Sequence, residues 1–101
     1  MRAYVIVQET IKDEGMFALY RNGVVATLRE YGGRFIVRGG RLTVIEGEWP
    51  HPQLVVIEFP SREAAEGWYQ SPAYQKLLPL RLNSSVGNFI IVDGAIGIDF
   101  V

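Results

Sequence analysis

The side chains that could do chemistry in this sequence are tyrosines, arginines and one glutamate. Tyr74, Arg81 and Glu58 are the candidates for catalysis, and Tyr20, Arg34, Arg38, Tyr69 and Ser71 the candidates for ligand binding. Such a set suits proton transfer: a carboxylate or phenol moves the proton and a guanidinium holds the anion that results. Ser71 has a single histidine, His51, as a possible base anywhere in the chain, so a serine-nucleophile triad is not expected. Glu46, Glu48, Glu58 and Asp93 show no carboxylate spacing that would hold a metal, and no metal or other cofactor is expected. The absence of cysteine excludes thiolate catalysis and cysteine-ligated zinc or iron–sulfur centres.

Two readings of these candidates stand side by side. Arg34, Arg38 and Glu58 alternate with aliphatic residues, so they share one face of their strands; there they either pair with one another or leave an arginine to receive a carboxylate ligand. Tyr20, Tyr69 and Tyr74 lie in helical segments, with Ser71 at a break and Arg81 beyond Pro79. Their polar tips either converge on a small-molecule cleft or serve as wet ends of core aromatics, a helix cap and a helix-end partner. Trp49, in a Pro-bounded loop, is expected to cover an edge of the core rather than to contact a ligand.

The elements that must position these groups are short and well punctuated. Residues 3–8 are β-branched and aromatic and read as a strand. From about residue 13 to residue 31, Phe17, Tyr20, Val24, Leu28 and Tyr31 recur at helical spacing, and Gly32-Gly33 supplies the stop. Gly23 inside that stripe implies close packing against a neighbour. Residues 34–38 and 42–46 flank Gly39-Gly40 and predict a hairpin. Residues 53–59 form a further strand, and Ser61 caps a helix carrying Ala64, Ala65, Trp68 and Tyr69. Ser71-Pro72 breaks and restarts that helix, and Pro79 is expected to bend the chain again. Residues 87–93 form the last strand.

The resulting β-α-β-β-α-β order predicts a ferredoxin-like α+β domain over residues 1–94, an antiparallel four-stranded sheet with both helices on one face, followed by an apolar tail at 95–101. Strand alternation assigns Ala3, Val5, Val7, Phe35, Val37, Val55, Ile57, Phe59, Phe89 and Ile91 to the helix-covered face. The other face mixes Tyr4, Ile6, Ile36, Leu54, Val56, Ile90 and Val92 with Gln8, Arg34, Arg38, Glu58 and Asn88. So much aliphatic surface on a small domain predicts a homodimer in which two sheets pack face to face. The tail residues Ile96, Ile98, Phe100 and Val101 alternate like a strand and are expected to dock on the same subunit or its partner.

Composition agrees with one globular domain: 101 residues, 49% of them apolar and 21% charged. Ten basic residues against eleven acidic ones, with no basic run, argue against a nucleic-acid partner. The apolar stretch near the N-terminus is too short for a signal peptide or membrane span, so no membrane association and a cytoplasmic location are expected.

Glu46-Gly47-Glu48-Trp49-Pro50, Leu54-Val55-Val56-Ile57-Glu58-Phe59-Pro60-Ser61, Ala64-Ala65, Trp68-Tyr69-Gln70-Ser71-Pro72, Tyr74-Gln75, Arg81 and Val92-Asp93-Gly94 closely resemble the DUF1330 family, a domain of unknown function, over residues 3–94. The resemblance implies the dimeric α/β barrel superfamily and hence paired ferredoxin-like sheets. Members of that superfamily include cofactor-free monooxygenases, haem-dependent enzymes, lactone isomerases and ligand-sensing domains, so the likeness specifies the fold more closely than the reaction. A haem would need an axial ligand, and His51 is expected at the surface. The functional expectation is a cofactor-independent enzyme of isomerase or oxygenase-like chemistry on a small aromatic or carboxylate-bearing substrate; the alternatives are a non-catalytic metabolite-binding module and a structural dimer with a filled interior.

Overall fold

The structure is a computed structural model that describes residues 1–95. Its central strand is β1 (Ala3–Ile11), along which Ala3, Val5, Val7 and Glu9 are buried in strict alternation. β1 pairs antiparallel with β3 (Gln53–Phe59) on one side and with β4 (Ser85–Asp93) on the other. β2 (Arg34–Arg38) adds to the outer edge of β3, giving the order β2-β3-β1-β4. The helices are α1 (Glu14–Leu28), α2 (Arg62–Gln70) and α3 (Pro72–Ser84). This connectivity is the ferredoxin-like α+β arrangement.

Local chemistry explains where the helices begin. The Asp13 side chain accepts from the Met16 amide at 3.0 Å to cap α1, and Ser61 accepts from the Ala64 amide at 3.1 Å to cap α2. Ser71 serves both neighbours: its hydroxyl donates to the Trp68 carbonyl at 2.7 Å and accepts from the Tyr74 amide at 3.2 Å. The core between helices and sheet centres on Phe59, Trp68 and Tyr74, all with no exposed surface. Each such side chain contributes on the order of 1.5–3 kcal/mol through burial. Trp68 also satisfies its indole N–H by donating to Thr27 Oγ1 at 2.9 Å, which ties α2 to α1.

Gly23 lets α1 and α3 approach: a methyl group there would lie 3.0 Å from Leu77 Cδ2. The close packing expected at that position is present.

Several expectations need correction. The first helix stops at Leu28; Arg29–Tyr31 is a single 3₁₀ turn closed by Gly32 in the left-handed conformation. Residues 42–46 form no strand. Gly39 turns the chain, but the partner of β2 is β3, because residues 53–59 bury Ile57 and Phe59 to 3% and 0% exposure whereas Ile45 stays 84% exposed. Trp49 is exposed rather than covering the core. Pro79 does not end α3, whose last turn is held from outside: the Ser84 carbonyl accepts from the amides of Lys12 and Asp13 at 2.7 and 3.0 Å. The helix therefore runs on past Arg81.

A register shift between Phe35 and Val37 also changes which residues face where. Phe35 and Arg38 stand opposite Ile57 and Val55, while Val37 stands opposite Val56. Ile36 is the inserted residue of a β-bulge, and it moves Val37 to the open face and Arg38 to the helix-covered face, the reverse of simple alternation. Of the aliphatic residues expected on the open face, Ile36, Ile90 and Val92 are exposed, and Val37 and Val86, not assigned there from sequence, are exposed as well. The proposed tail residues at 96–101 lie outside the described residues.

Candidate functional site

Between α1, α3 and the helix-covered face of the sheet lies a cavity of about 260 Å³. Its walls include Val7, Val24, Val55 and Ile57, so most of its surface is hydrocarbon. Into this surface come Glu9 from β1, Tyr20 and Arg21 from α1, Arg38 from β2 and Arg81 from α3. An apolar cavity with a few convergent polar groups is the usual form of a small-molecule site.

Glu9 is the least expected member. It is 3% exposed, and its Oε1 has no hydrogen-bond partner. Burial raises its pKa above the ordinary glutamate value, with the positive charges of Arg81 and Arg21 acting in the opposite direction. The register places Glu9 opposite Gly87 of β4, where any side chain would collide with the Gln8 backbone carbonyl. The two strands can approach this closely beside the carboxylate because residue 87 is glycine.

The hydroxyl of Tyr20, which lines the cavity, lies 2.9 Å from that of Tyr74, which does not, and Arg81 Nε donates to the Tyr74 hydroxyl at 3.2 Å. Burial raises the pKa of both phenols, with the close pairing raising Tyr20 further, so both remain neutral at physiological pH. The Arg81 guanidinium lies over the Phe89 ring at 4.8 Å from its centroid. Its charge is therefore oriented by a hydrogen bond on one side and an aromatic face on the other.

The structure thus brings Tyr20, Tyr74, Arg81 and Arg38 together and sets the other sequence candidates apart. Tyr74 has no exposed surface and reaches the cavity through Tyr20 and Arg81. Tyr69 packs on Tyr74 and Phe89, with ring centroids 5.4 and 5.3 Å away. Ser71 is the shared cap of α2 and α3. Glu58 and Arg34 lie across the sheet from the cavity, paired at 2.7 Å; Arg2 at 3.5 Å and the Tyr4 hydroxyl at 3.3 Å complete that cluster. The Arg34 hydrogen bond holds Glu58 below the usual carboxylate range. His51 Nδ1 lies 2.9 Å from Thr10 Oγ1. Among the described residues no group of three His, Asp or Glu could hold a metal ion, and no helix is long and apolar enough to cross a membrane.

Glu9 escapes a reading that ends the first strand at Gln8. The alternation Ala3, Val5, Val7 continues one step to Glu9, and a carboxylate on the hydrocarbon face of a central strand is the signal that finds it.

The sequence matches the domain of unknown function DUF1330 over residues 2–95. The chain belongs to this family. No curated protein matches it. Among solved structures, a protein of unknown function from Rhodopseudomonas palustris superposes with a TM-score of 0.76 at 14% identity, covering 95% of this chain and 84% of that one. SnoaB, a cofactor-independent oxygenase from Streptomyces nogalater, gives 0.63 at 10% identity over 96% of each chain. A dimeric ferredoxin-like protein of unknown function from Jannaschia sp. gives 0.60 at 16% identity, covering 95% of this chain and all of that one (100%). At these identities the likeness shows the fold of this DUF1330 protein, and its chemistry has to be argued from its own cavity.

Proposed function

We propose that this DUF1330 protein is a cofactor-independent enzyme that moves a proton on a small aromatic or carboxylate-bearing substrate, with Glu9 as the acid–base group. The observation that carries this reading is the buried Glu9 carboxylate, lining an apolar cavity with one oxygen unpartnered. A carboxylate whose pKa is raised by burial is a stronger base than an exposed one.

In the step envisaged, Glu9 takes a proton from an activated C–H or O–H of the substrate, and the electron pair left behind delocalises onto a conjugated oxygen. Arg81, held by Tyr74 and Phe89, stabilises that oxyanion, while the Tyr20 hydroxyl offers a neutral hydrogen bond. Return of the proton to another carbon completes an isomerisation. In the oxygenase variant the carbanion forms a C–O bond with dioxygen, a second substrate; the peroxide anion takes a proton, and loss of water from the hydroperoxide breaks the O–O bond and leaves a carbonyl, a reading that the fold shared with SnoaB supports including. The cavity itself disfavours the reading as a structural dimer with a filled interior.

Glu58, the carboxylate first singled out from sequence, has no part in this step because it lies across the sheet in an ion pair. The working unit we propose is a homodimer: the open face carries a row of exposed aliphatic residues, and the Jannaschia neighbour of the same fold is described as dimeric.

The test is deuterium exchange into enolisable aryl ketones and keto acids, followed by NMR. Wild-type protein is expected to accelerate exchange for at least one of them, and Glu9→Gln to lower that rate by about 100- to 10,000-fold. Exchange that is unaffected by Glu9→Gln overturns the assignment.

A further inference from the structure

The cavity carries three arginines, each set against a phenyl ring of its own wall. Arg21 lies 5.0 Å from the centroid of Phe17, Arg38 lies 4.1 Å from that of Phe35, and Arg81 lies 4.8 Å from that of Phe89. All six residues line the same cavity, and Glu9 is the carboxylate among them. The whole chain has a formal net charge of −1, so this is a local concentration of positive charge. Arg21 is partly offset by Glu14 at 3.1 Å, whereas neither Arg38 nor Arg81 has a carboxylate within ion-pair distance among the described residues.

The groups are graded by depth. Glu9 is buried, Arg81 is half-buried, and Arg38 is exposed at the rim beside Gly39. Arg38 reaches that rim because of the bulge at Ile36; an in-register strand would place Val37 there and turn Arg38 to the open face. A guanidinium resting on a phenyl ring is held in place with part of its hydration removed, and its planar N–H fork suits a carboxylate.

We infer that the cavity selects an aromatic monocarboxylate of one or two rings, with its carboxylate gripped by Arg38 at the rim and its ring among Phe17, Phe35 and Phe89. The volume of about 260 Å³ accommodates a molecule of that size. Arg38 is on this reading a specificity-determining residue, while Glu9 and Arg81 act on the other end of the substrate. The inference rests on the proposed site and specifies its substrate class.

The experiment is calorimetric titration of the wild-type protein with benzoate, cinnamate and naphthoate, each beside its primary amide, repeated with Arg38→Gln. At least one acid is expected to bind ten-fold or more tightly than its amide, and Arg38→Gln to erase most of that preference by weakening the acid far more than the amide. Arg38 is exposed, and its one hydrogen bond, to the Arg21 carbonyl, is long at 3.5 Å, so the variant is expected to fold. Equal binding of acids and amides, binding of none of the acids, or a preference that survives in Arg38→Gln each overturns the inference. Binding separates this claim from catalysis. Glu9-dependent exchange without acid preference would leave the proton-transfer reading standing alone, and acid preference without exchange would leave the substrate class standing alone.

Discussion

The Tyr74 hydroxyl accepts a hydrogen bond from Arg81 Nε at 3.2 Å and lies 2.9 Å from the Tyr20 hydroxyl, so one fully buried phenol connects the two helices that frame the cavity. Tyr74 is a positioning residue on this geometry, acting on bound substrate through its neighbours. Tyr74→Phe removes a partner from the buried Tyr20 hydroxyl and the half-buried Arg81, at a cost of about 1–3 kcal/mol in stability. Thermal denaturation should show that loss, and the exchange rate should fall mainly in kcat, with KM little changed. A variant with unaltered stability and unaltered kcat would show that the hydroxyl positions nothing.

Gly87 faces Glu9 across the β1–β4 pair with no room for a side chain. Gly87→Ala should push β4 away from β1, destabilise the fold by at least about 1–3 kcal/mol as overpacking does, and misplace the carboxylate. Denaturant unfolding together with the exchange assay checks both consequences.

Glu9 also predicts a pH dependence of stability. Its folded-state pKa lies above the unfolded value, so the folded protein holds the proton more tightly. Stability from this group is present in full below the unfolded value of 4.5 and is lost as pH rises through the raised folded value. Glu9→Gln should remove that loss and be more stable than wild type at alkaline pH. Glu58 acts in the opposite sense: its pKa is lowered, chiefly by Arg34, so its contribution is present above the unfolded value and fades as pH falls through the folded one. Denaturation curves of Glu9→Gln and Glu58→Gln across acid and alkaline pH separate the two effects.

Ile90 sits on the open face, partway along the edge strand β4, paired with Ile6 and half exposed. If two sheets pack through this face, Ile90→Asp places a carboxylate in the interface and should convert a dimer to a monomer in light-scattering measurements, without loss of helical signal in circular dichroism. A wild-type monomer contradicts the proposed dimer directly.

Sequence reasoning reached the architecture because each strand and cap has a local cause: Ser61 and Ser71 as N-caps, Gly23 at a helix contact, LVVIEF as a strand between two neighbours. Of the groups whose polar tips the sequence sets near one another, Tyr20, Tyr69, Tyr74, Ser71 and Arg81, only Tyr20 and Arg81 line the cavity, and Tyr74 bonds to both. Simple alternation puts Arg38 on the open face; a single inserted residue inverts it, and no pattern in residues 34–38 announces the bulge. Glu9 is missed by a strand read as residues 3–8, because β1 runs on to Ile11 and carries the alternation one step further. The end of α3 at Ser84 is not legible locally, because the Ser84 carbonyl is bonded by the amides of Lys12 and Asp13, residues far away in sequence.

The titration of the Glu9 carboxyl carbon by NMR, in protein labelled at glutamate side chains and assigned with Glu9→Gln, tests the central claim without requiring the substrate. The account predicts a midpoint clearly above the ordinary glutamate value, moving higher still in Arg81→Gln because the opposing positive charge is gone. A midpoint at or below the ordinary value would mean that Glu9 is an ion-paired structural carboxylate, and the proposed acid–base role would fall with it.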